Sequence, residues 1–390
     1  MLVDLGIAVR ANDPSAVPCL LEKLSEFGGK PSVDHNDTRM AMLSQAKALV
    51  RALQTPRETM IEQNWAQPGC HTAITTCYNA GVFGVLGDKP MKVDDIANKL
   101  GKPRELLAMG YITETDSDEY MATNFSKALT IPIIGDGYPA LKFSEYLQKN
   151  DYQLTSDITN GPYQYAFNTE LDMFRYLDTH PPLSQQFNNH MGGYRQGRPS
   201  WMDSNFYPVQ EQLIDGMDNS KDAVLLVDIG GGYGQDIQEF RSKYPQVPGR
   251  LVLQDRPSVI DGIERLDPSI ERMEYDFHTE QPLKAAKAYY MHSVLHDWPD
   301  DVCKSILKQV AGAMKKGYSK LLINENVIPD KGADWQATAL DMMMITLFSS
   351  KERTYSQWSQ LLESPELGLK IVRVWTVKHS QESLIECELV

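Results

Sequence analysis

Apolar positions follow two different rhythms along the chain. In the first 200 residues they return every three or four positions, the spacing of a helix with one buried face. That rhythm predicts helices at Val17–Phe27, at Arg39–Leu53 with Asn36-Asp37-Thr38 as its cap, and at His71–Leu86. A shorter helix, Met91–Leu100, follows Lys89-Pro90 and closes on Gly101. Gly110–Glu114 and Glu119–Thr123 flank Thr115-Asp-Ser-Asp and read as a hairpin. Helices followed by a small hairpin make a winged helix. Further on, Phe167 begins a helix that His180-Pro181-Pro182 stops. Leu183–Met191 gives another, ahead of Gly192-Gly193.

Beyond residue 220 the rhythm changes. Leu225–Ile229, Arg250–Asp255, Ala285–Met291 and Leu321–Ile328 are short, almost unbroken apolar runs. Runs of that length, separated by helical stretches, predict strands buried on both faces of a parallel α/β sheet. The first run ends on Asp228-Ile229 and enters Gly230-Gly-Gly-Tyr-Gly234, and a helix, Gln235–Lys243, follows. Glycine permits a tight turn and lets a ligand lie close to the backbone. The helix start behind it offers unpaired N–H groups and a partial positive charge. The second run ends on Asp255, about twenty positions after the turn, the spacing suited to a ribose diol. The turn lacks the Lys-Ser/Thr of a phosphate loop and fits the dinucleotide G-x-G-x-x-G spacing poorly.

With 390 residues the chain has room for two domains. Its formal net charge of −14 argues against a nucleic-acid surface, which needs clustered lysine and arginine. The recognition-helix region of the winged helix, Pro103–Ala108, has only Lys102 and Arg104 as cations, so a DNA-binding regulator is disfavoured. The five cysteines are scattered and odd in number, with no C-x-x-C pair, which makes the reducing cytosol the expected compartment. No stretch has the length or pattern of a signal peptide or a membrane span.

Six stretches, in order, carry a resemblance: VDIGGGYG, LQDRPSVI, the YDFH stretch, HSVLHDWPDD, LLINENVIPD and LDMMM…SSKERT. Together they resemble the small-molecule O-methyltransferases that use S-adenosylmethionine, of the plant caffeate and fungal natural-product type. The resemblance implies a Rossmann-like class I methyltransferase domain over residues 146–390, with a helical lid at its start. It implies a winged-helix-like dimerisation domain over residues 1–145, hence a homodimer, and a reaction that needs no metal. There is one departure. Between Lys-Pro-Arg-Glu-Leu-Leu and Ala-Met-Gly-Tyr-Ile the chain is short of the family pattern by about two helical turns.

Methyl transfer to a phenol requires the acceptor to be held in line and its proton removed. A free phenol has a pKa of about 10, so a neutral imidazole is the natural base. His296 is the candidate, since it follows a strand at the ligand-binding edge of the sheet. The resemblance places Glu325 and Glu352 as flanking carboxylates. It assigns the cofactor to Gly230, Gly232, Asp255 for the ribose, and Asp276 and Phe277 for the adenine. His292 stands where plant members carry a lysine near the cofactor. Phe187, Met191, Asp297, Trp298, Met344 and Phe348 fall at substrate-lining positions, and Phe348 replaces a polar residue of plant members. The expected substrate is a phenolic or enolic natural product other than a simple phenylpropanoid. Some fungal relatives bind S-adenosylmethionine yet catalyse dehydration or pericyclic ring closure, an alternative that an intact His296 with both glutamates disfavours.

Overall fold

The computed structural model describes residues 5–27, 36–101, 112–123, 126–127, 142–194, 199–218, 220, 222–377, 380 and 382–390. They divide into two compact units, residues 1–68 and 69–390. The first unit is helical. It holds α1 (Val17–Ser25), α2 (Asn36–Leu53) and α3 (Pro56–Ile61), the last opened by a capping box in which Thr55 and Glu58 satisfy each other's backbone N–H groups. α2 begins at Asn36, so Asn36-Asp37-Thr38 form its first turn rather than a cap before it. α1 buries none of its residues, and Leu21, Met40, Leu43, Val50 and Leu53 are exposed.

α4 (Gln67–Ala80) starts four residues before the predicted His71 and stops at Gly81, whose left-handed backbone (φ 83°) separates it from α5 (Val82–Val85). Met91-Lys92 is a short strand, β1, rather than the start of the helix. α6 (Val93–Leu100) follows it and ends on left-handed Gly101, as the sequence predicts. β2 (Ile112–Asp116) and β3 (Glu119–Ala122) form the predicted hairpin, and the small sheet runs β1-β3-β2. Residues 102–111, where the family pattern is short, lie outside the described residues. α7 (Lys142–Lys149) and α8 (Pro162–Phe167) come next. Left-handed Asn168 ends α8, so the helix predicted from Phe167 begins only at Met173, as α9 (Met173–Thr179). α10 (Leu183–Tyr194) runs through Gly192-Gly193 instead of stopping before them.

The main sheet contains β4 (Val224–Ile229), β5 (Arg250–Asp255), β6 (Ile270–Glu274), β7 (Ala288–His292), β8 (Lys320–Ile328), β9 (Arg353–Thr354), β10 (Leu369–Trp375) and β11 (Glu382–Leu389). Its order is β10-β11-β8-β7-β4-β5-β6, with β9 beside β8. β4 to β8 are mutually parallel, β11 runs antiparallel to β8, and β10 runs antiparallel to β11. Every residue of β4 is buried, as an unbroken apolar run requires. One face of the sheet packs on α13 (Asp300–Ala311) and α15 (Tyr355–Leu362) through Cys303, Ile306, Leu307, Trp358 and Leu361. The other packs on α11 (Gln235–Lys243) and α12 (Pro257–Asp261) through Ile237, Phe240 and Ile260. α14 (Trp335–Phe348) sends Met342 and Ile345 into the core beneath the small sheet.

The strand order reverses between β4 and β7: β5 lies on one side of β4 and β7 on the other. A crevice at the carboxyl ends of the strands opens at such a switch point.

Candidate active site

Both sides of the switch point carry chemistry. After β4, Gly230, Gly232 and Gly234 all take left-handed backbones (φ 71°, 60° and 82°). A Cβ on Gly230 would stand 2.9 Å from Val294 Cγ2, whereas at Gly232 nothing lies closer than 3.8 Å. The turn is therefore tight on its protein side and open at Gly232, as a cradle for a ligand must be. Gly231, which the sequence reading passed over, has the least room. A Cβ there would lie 2.5 Å from Leu253 Cδ1 and 2.6 Å from Asp228 Oδ2. The unbroken run of three glycines was the available signal.

Asp255 ends β5 beside this turn. Its Oδ2 accepts the Gly232 N–H at 2.8 Å and its Oδ1 accepts the Arg256 N–H at 2.7 Å. Burial pushes its carboxyl above the ordinary value, against those two N–H groups. A carboxylate has about four lone-pair sites, so two such bonds leave acceptor capacity for a diol. Phe277 lies 3.9 Å from the Gly230 Cβ position, flanking the turn, while Asp276 is exposed and caps its own loop through the His278 N–H.

After β7 a 3₁₀ turn, Leu295–Asp297, carries His296, only 5% exposed. Its Nδ1 lies 2.7 Å from Glu352 Oε1 and 3.6 Å from Glu325 Oε2, and its Nε2 lies 3.5 Å from Asp297 Oδ1. With the Nδ1 proton donated to Glu352, Nε2 is the nitrogen able to take a proton. Glu325 Oε1 accepts three backbone N–H groups, from Val294 (3.0 Å), Leu295 (2.9 Å) and His296 (3.4 Å), and so fixes the turn that carries His296. Burial pulls the imidazole down, but Glu325, Glu352 and Asp297 outweigh it and hold the ring well above its ordinary value. Burial likewise raises the Glu325 carboxyl and pushes Asp297 up to about 7, against the attraction of His296.

Arg353, next to Glu352, is fully buried, and the sequence reading did not single it out. Its guanidinium donates to Leu295 O (3.1 Å), Trp298 O (2.8 Å) and Asp300 Oδ1 (2.9 Å), clamping both ends of the His296 turn. The KERT stretch contained the signal, but a single arginine in a loop reads as a solvated cation until the fold buries it.

Aromatic rings gather beside the turn. Phe174 of α9 stands 6.1 Å from Trp298, 5.4 Å from Phe348 and 5.9 Å from Phe187, and Trp298 meets Phe277 edge-on at 5.9 Å. Phe187 and Phe348 come from α10 and α14, so the sequence-nominated pair meets through Phe174, which sequence reasoning missed. Met191 is partly buried one turn beyond Phe187, and Met344 is buried one turn before Phe348. His292 sits apart from this group. Its Nδ1 and Nε2 are engaged by Asp236 Oδ2 (2.6 Å) and Glu382 Oε2 (3.2 Å).

Among the described residues no helix is long and apolar enough to cross a membrane. Residues 151–366 match the O-methyltransferase domain family. Among curated relatives, O-methyltransferase mpaG of Penicillium brevicompactum is 33% identical over 95% of this chain and 98% of its own. Methyltransferase cfoC of Aspergillus candidus is 43% identical over 92% of each. Among solved structures, LepI in complex with SAM aligns with a TM-score of 0.60 and 26% identity over 96% of this chain and 99% of that one. A structure described as a pericyclic reaction enzyme gives the same figures. With a Rossmann-like sheet, a glycine cradle at its switch point and these relatives, the chain belongs to the S-adenosylmethionine-dependent O-methyltransferases of natural-product metabolism, and S-adenosylmethionine is its cofactor.

Proposed function

We propose that this enzyme methylates a phenolic or enolic hydroxyl of a planar natural product, with His296 as general base. The observation that carries the reading is the buried His296–Glu352 pair at 2.7 Å, which commits Nδ1 and leaves Nε2 for the substrate proton. When bound, S-adenosylmethionine supplies an electrophilic methyl group on its sulfonium. Gly230 and Gly232 would cradle it, Asp255 would accept its ribose hydroxyls, and Asp276 and Phe277 would border its adenine. His296 receives the hydroxyl proton at Nε2, and Glu352 stabilises the resulting imidazolium. Glu325 holds the turn, and Asp297 lines the pocket beside Nε2. Phe187, Met191, Trp298, Met344 and Phe348, joined by Phe174, present soft and flat surfaces to a planar ring.

The deciding experiment is a mass-spectrometric screen of fungal-type polyketide and alkaloid phenols with S-adenosylmethionine. S-adenosylhomocysteine formed with a methyl-sized mass gain, both dependent on His296, is the expected result. The resemblance to a pericyclic reaction enzyme favours a second reading, ring closure or dehydration with the cofactor bound but unspent. Isomerised or dehydrated panel members without S-adenosylhomocysteine would establish that reading instead. The Asp255 assignment has its own check. Asp255→Ala is expected to weaken S-adenosylhomocysteine binding about tenfold or more in calorimetry, the usual worth of hydrogen bonds to a charged acceptor; equal affinity would remove Asp255 from the cofactor site.

We further infer that residues 1–145 form a winged-helix-like dimerisation domain and residues 146–390 the catalytic domain, working as a homodimer in the cytosol. The cytosolic reading rests on five cysteines that are scattered along the chain, odd in number and without a C-x-x-C pair. The exposed apolar residues of α1 and α2 support the dimer, because Leu21, Met40, Leu43, Val50 and Leu53 together offer the kind of apolar surface that marks an interaction site. Light scattering is expected to give twice the chain mass for wild type, and the single-chain mass for Leu21→Glu/Val50→Glu. A monomeric wild type would sink this inference.

A further inference from the structure

Alternation along β8 sends Leu321, Ile323 and Glu325 towards the face that carries the His296 turn, and Leu322, Asn324 and Asn326 towards the other. On that other face, at the same carboxyl edge, lies a second acid–imidazole–acid cluster. His292 ends β7. Its Nδ1 is 2.6 Å from Asp236 Oδ2 and its Nε2 is 3.2 Å from Glu382 Oε2. Asp236 Oδ2 also accepts the Tyr290 hydroxyl at 2.7 Å, and Tyr290 Oη accepts the Asn324 amide N–H at 3.3 Å. Asp236 is the second residue of α11, two positions after Gly234, and Glu382 opens β11. All three side chains are at most 10% exposed.

An imidazole with both nitrogens engaged by protein carboxylates has no nitrogen left for a ligand. Its contacts instead join three elements at one point: the start of the helix behind the glycine turn, the end of β7 and the start of β11. On the opposite side, the turn is held by Gly232 on Asp255 and by the Gly230 N–H on Gln254 O at 2.8 Å. We propose that His292 is a positioning residue, which pins the start of α11 through Asp236 and so fixes the glycine turn in the shape that binds S-adenosylmethionine. The proposal rests on the assignment of the cofactor to that turn. Short, buried hydrogen bonds to a carboxylate are the strong ones, and removing one partner leaves the other buried without it.

The test is a double-mutant cycle read by calorimetric titration of S-adenosylhomocysteine, with the melting temperature of the ligand-free chain followed in parallel. His292→Asn and Asp236→Asn are each expected to weaken binding about tenfold, and the double variant no more than the worse single, because both act through one contact. Losses that multiply would mean that His292 meets the cofactor independently of Asp236, which overturns the proposal. A lowered melting temperature with unchanged affinity would reduce the cluster to a structural role and overturn it as well. Tyr290→Phe removes the hydroxyl shared by Asp236 and Asn324 and leaves both side chains in place, so it keeps the test open if the other variants fail to fold. It is expected to weaken binding about two- to fivefold, and unchanged affinity would overturn the proposal. A wild type that binds no S-adenosylhomocysteine would overturn the cofactor assignment itself.

Discussion

His296→Ala is expected to lower turnover on an accepted phenol by about 10²–10⁴-fold, the usual worth of a general base, and to leave S-adenosylhomocysteine affinity nearly unchanged. The two readouts separate because the imidazole belongs to the turn after β7, while the cofactor cradle belongs to the turn after β4. Methyl incorporation followed by mass spectrometry, beside calorimetry of the same preparations, makes the comparison. Unchanged turnover would remove His296 from the mechanism. In the wild type, pH gives a second view of the same group. Its value is held above the ordinary one by the surrounding carboxylates, so the free base is gained, and turnover rises, as pH climbs. Stability runs the other way. A group whose value is raised by folding contributes fully below its unfolded value, about 6.5 for histidine, and loses that contribution as pH rises through the raised one. Glu325 and Asp297 are also raised, so they act with the same sign. The carboxylates and the ring titrate as one cluster, and a pH profile reports the cluster rather than any single member.

Arg353→Leu is expected to be the most damaging single change outside the reacting groups. The guanidinium is fully buried and satisfies two backbone carbonyls of the His296 turn together with Asp300. Leucine fills much of the volume and satisfies none of them. Breaking a buried ion pair from one side costs about 3–5 kcal/mol, but Asp300 is 47% exposed, so solvent recovers part of that, and about 2–4 kcal/mol is the expected loss. Thermal unfolding should move down by several degrees. Turnover should fall further than the stability loss explains at a temperature where the variant is still folded, because small displacements of a base are costly. Cys303 Sγ lies 3.1 and 3.2 Å from the same two carbonyls, but its single S–H is a weak donor that can serve only one of them, so it offers only a weak substitute. A variant with wild-type turnover would show that the turn keeps its shape without the clamp.

Four strands of the sheet, β4, β5, β7 and β8, were legible because they are continuous apolar runs, and the glycine turn because it is local; the others carry no such run. Gln235–Lys243 and Arg250–Asp255 fall where the pattern puts them. Boundaries failed where one residue changes the backbone without changing the hydrophobic rhythm. Asn168 and Gly81 break helices by adopting left-handed conformations, whereas Gly192-Gly193 continue one. Of the candidate site, the group His296, Glu325 and Glu352 was readable only from its resemblance, since its members lie 29 and 56 positions apart. Phe174, Arg353 and the partners of His292 were not readable at all. Each owes its role to neighbours that distant parts of the chain bring in, and a phenylalanine or an arginine alone looks like any core or surface residue.

The division of labour between sheet and helices has a practical side. In the mechanism proposed above, the base stands on the turn that leaves β7, Glu325 on β8 and the glycine cradle on the turn that leaves β4. The aromatic wall is supplied mostly by α9, α10 and α14, through Phe174, Phe187 and Phe348, with Met344 buried one turn before Phe348. On that reading, retargeting the enzyme needs no redesign of its reactive centre. A small library over those four helical positions, with every sheet residue left as it is, samples new acceptors while the machinery that deprotonates them stays in register.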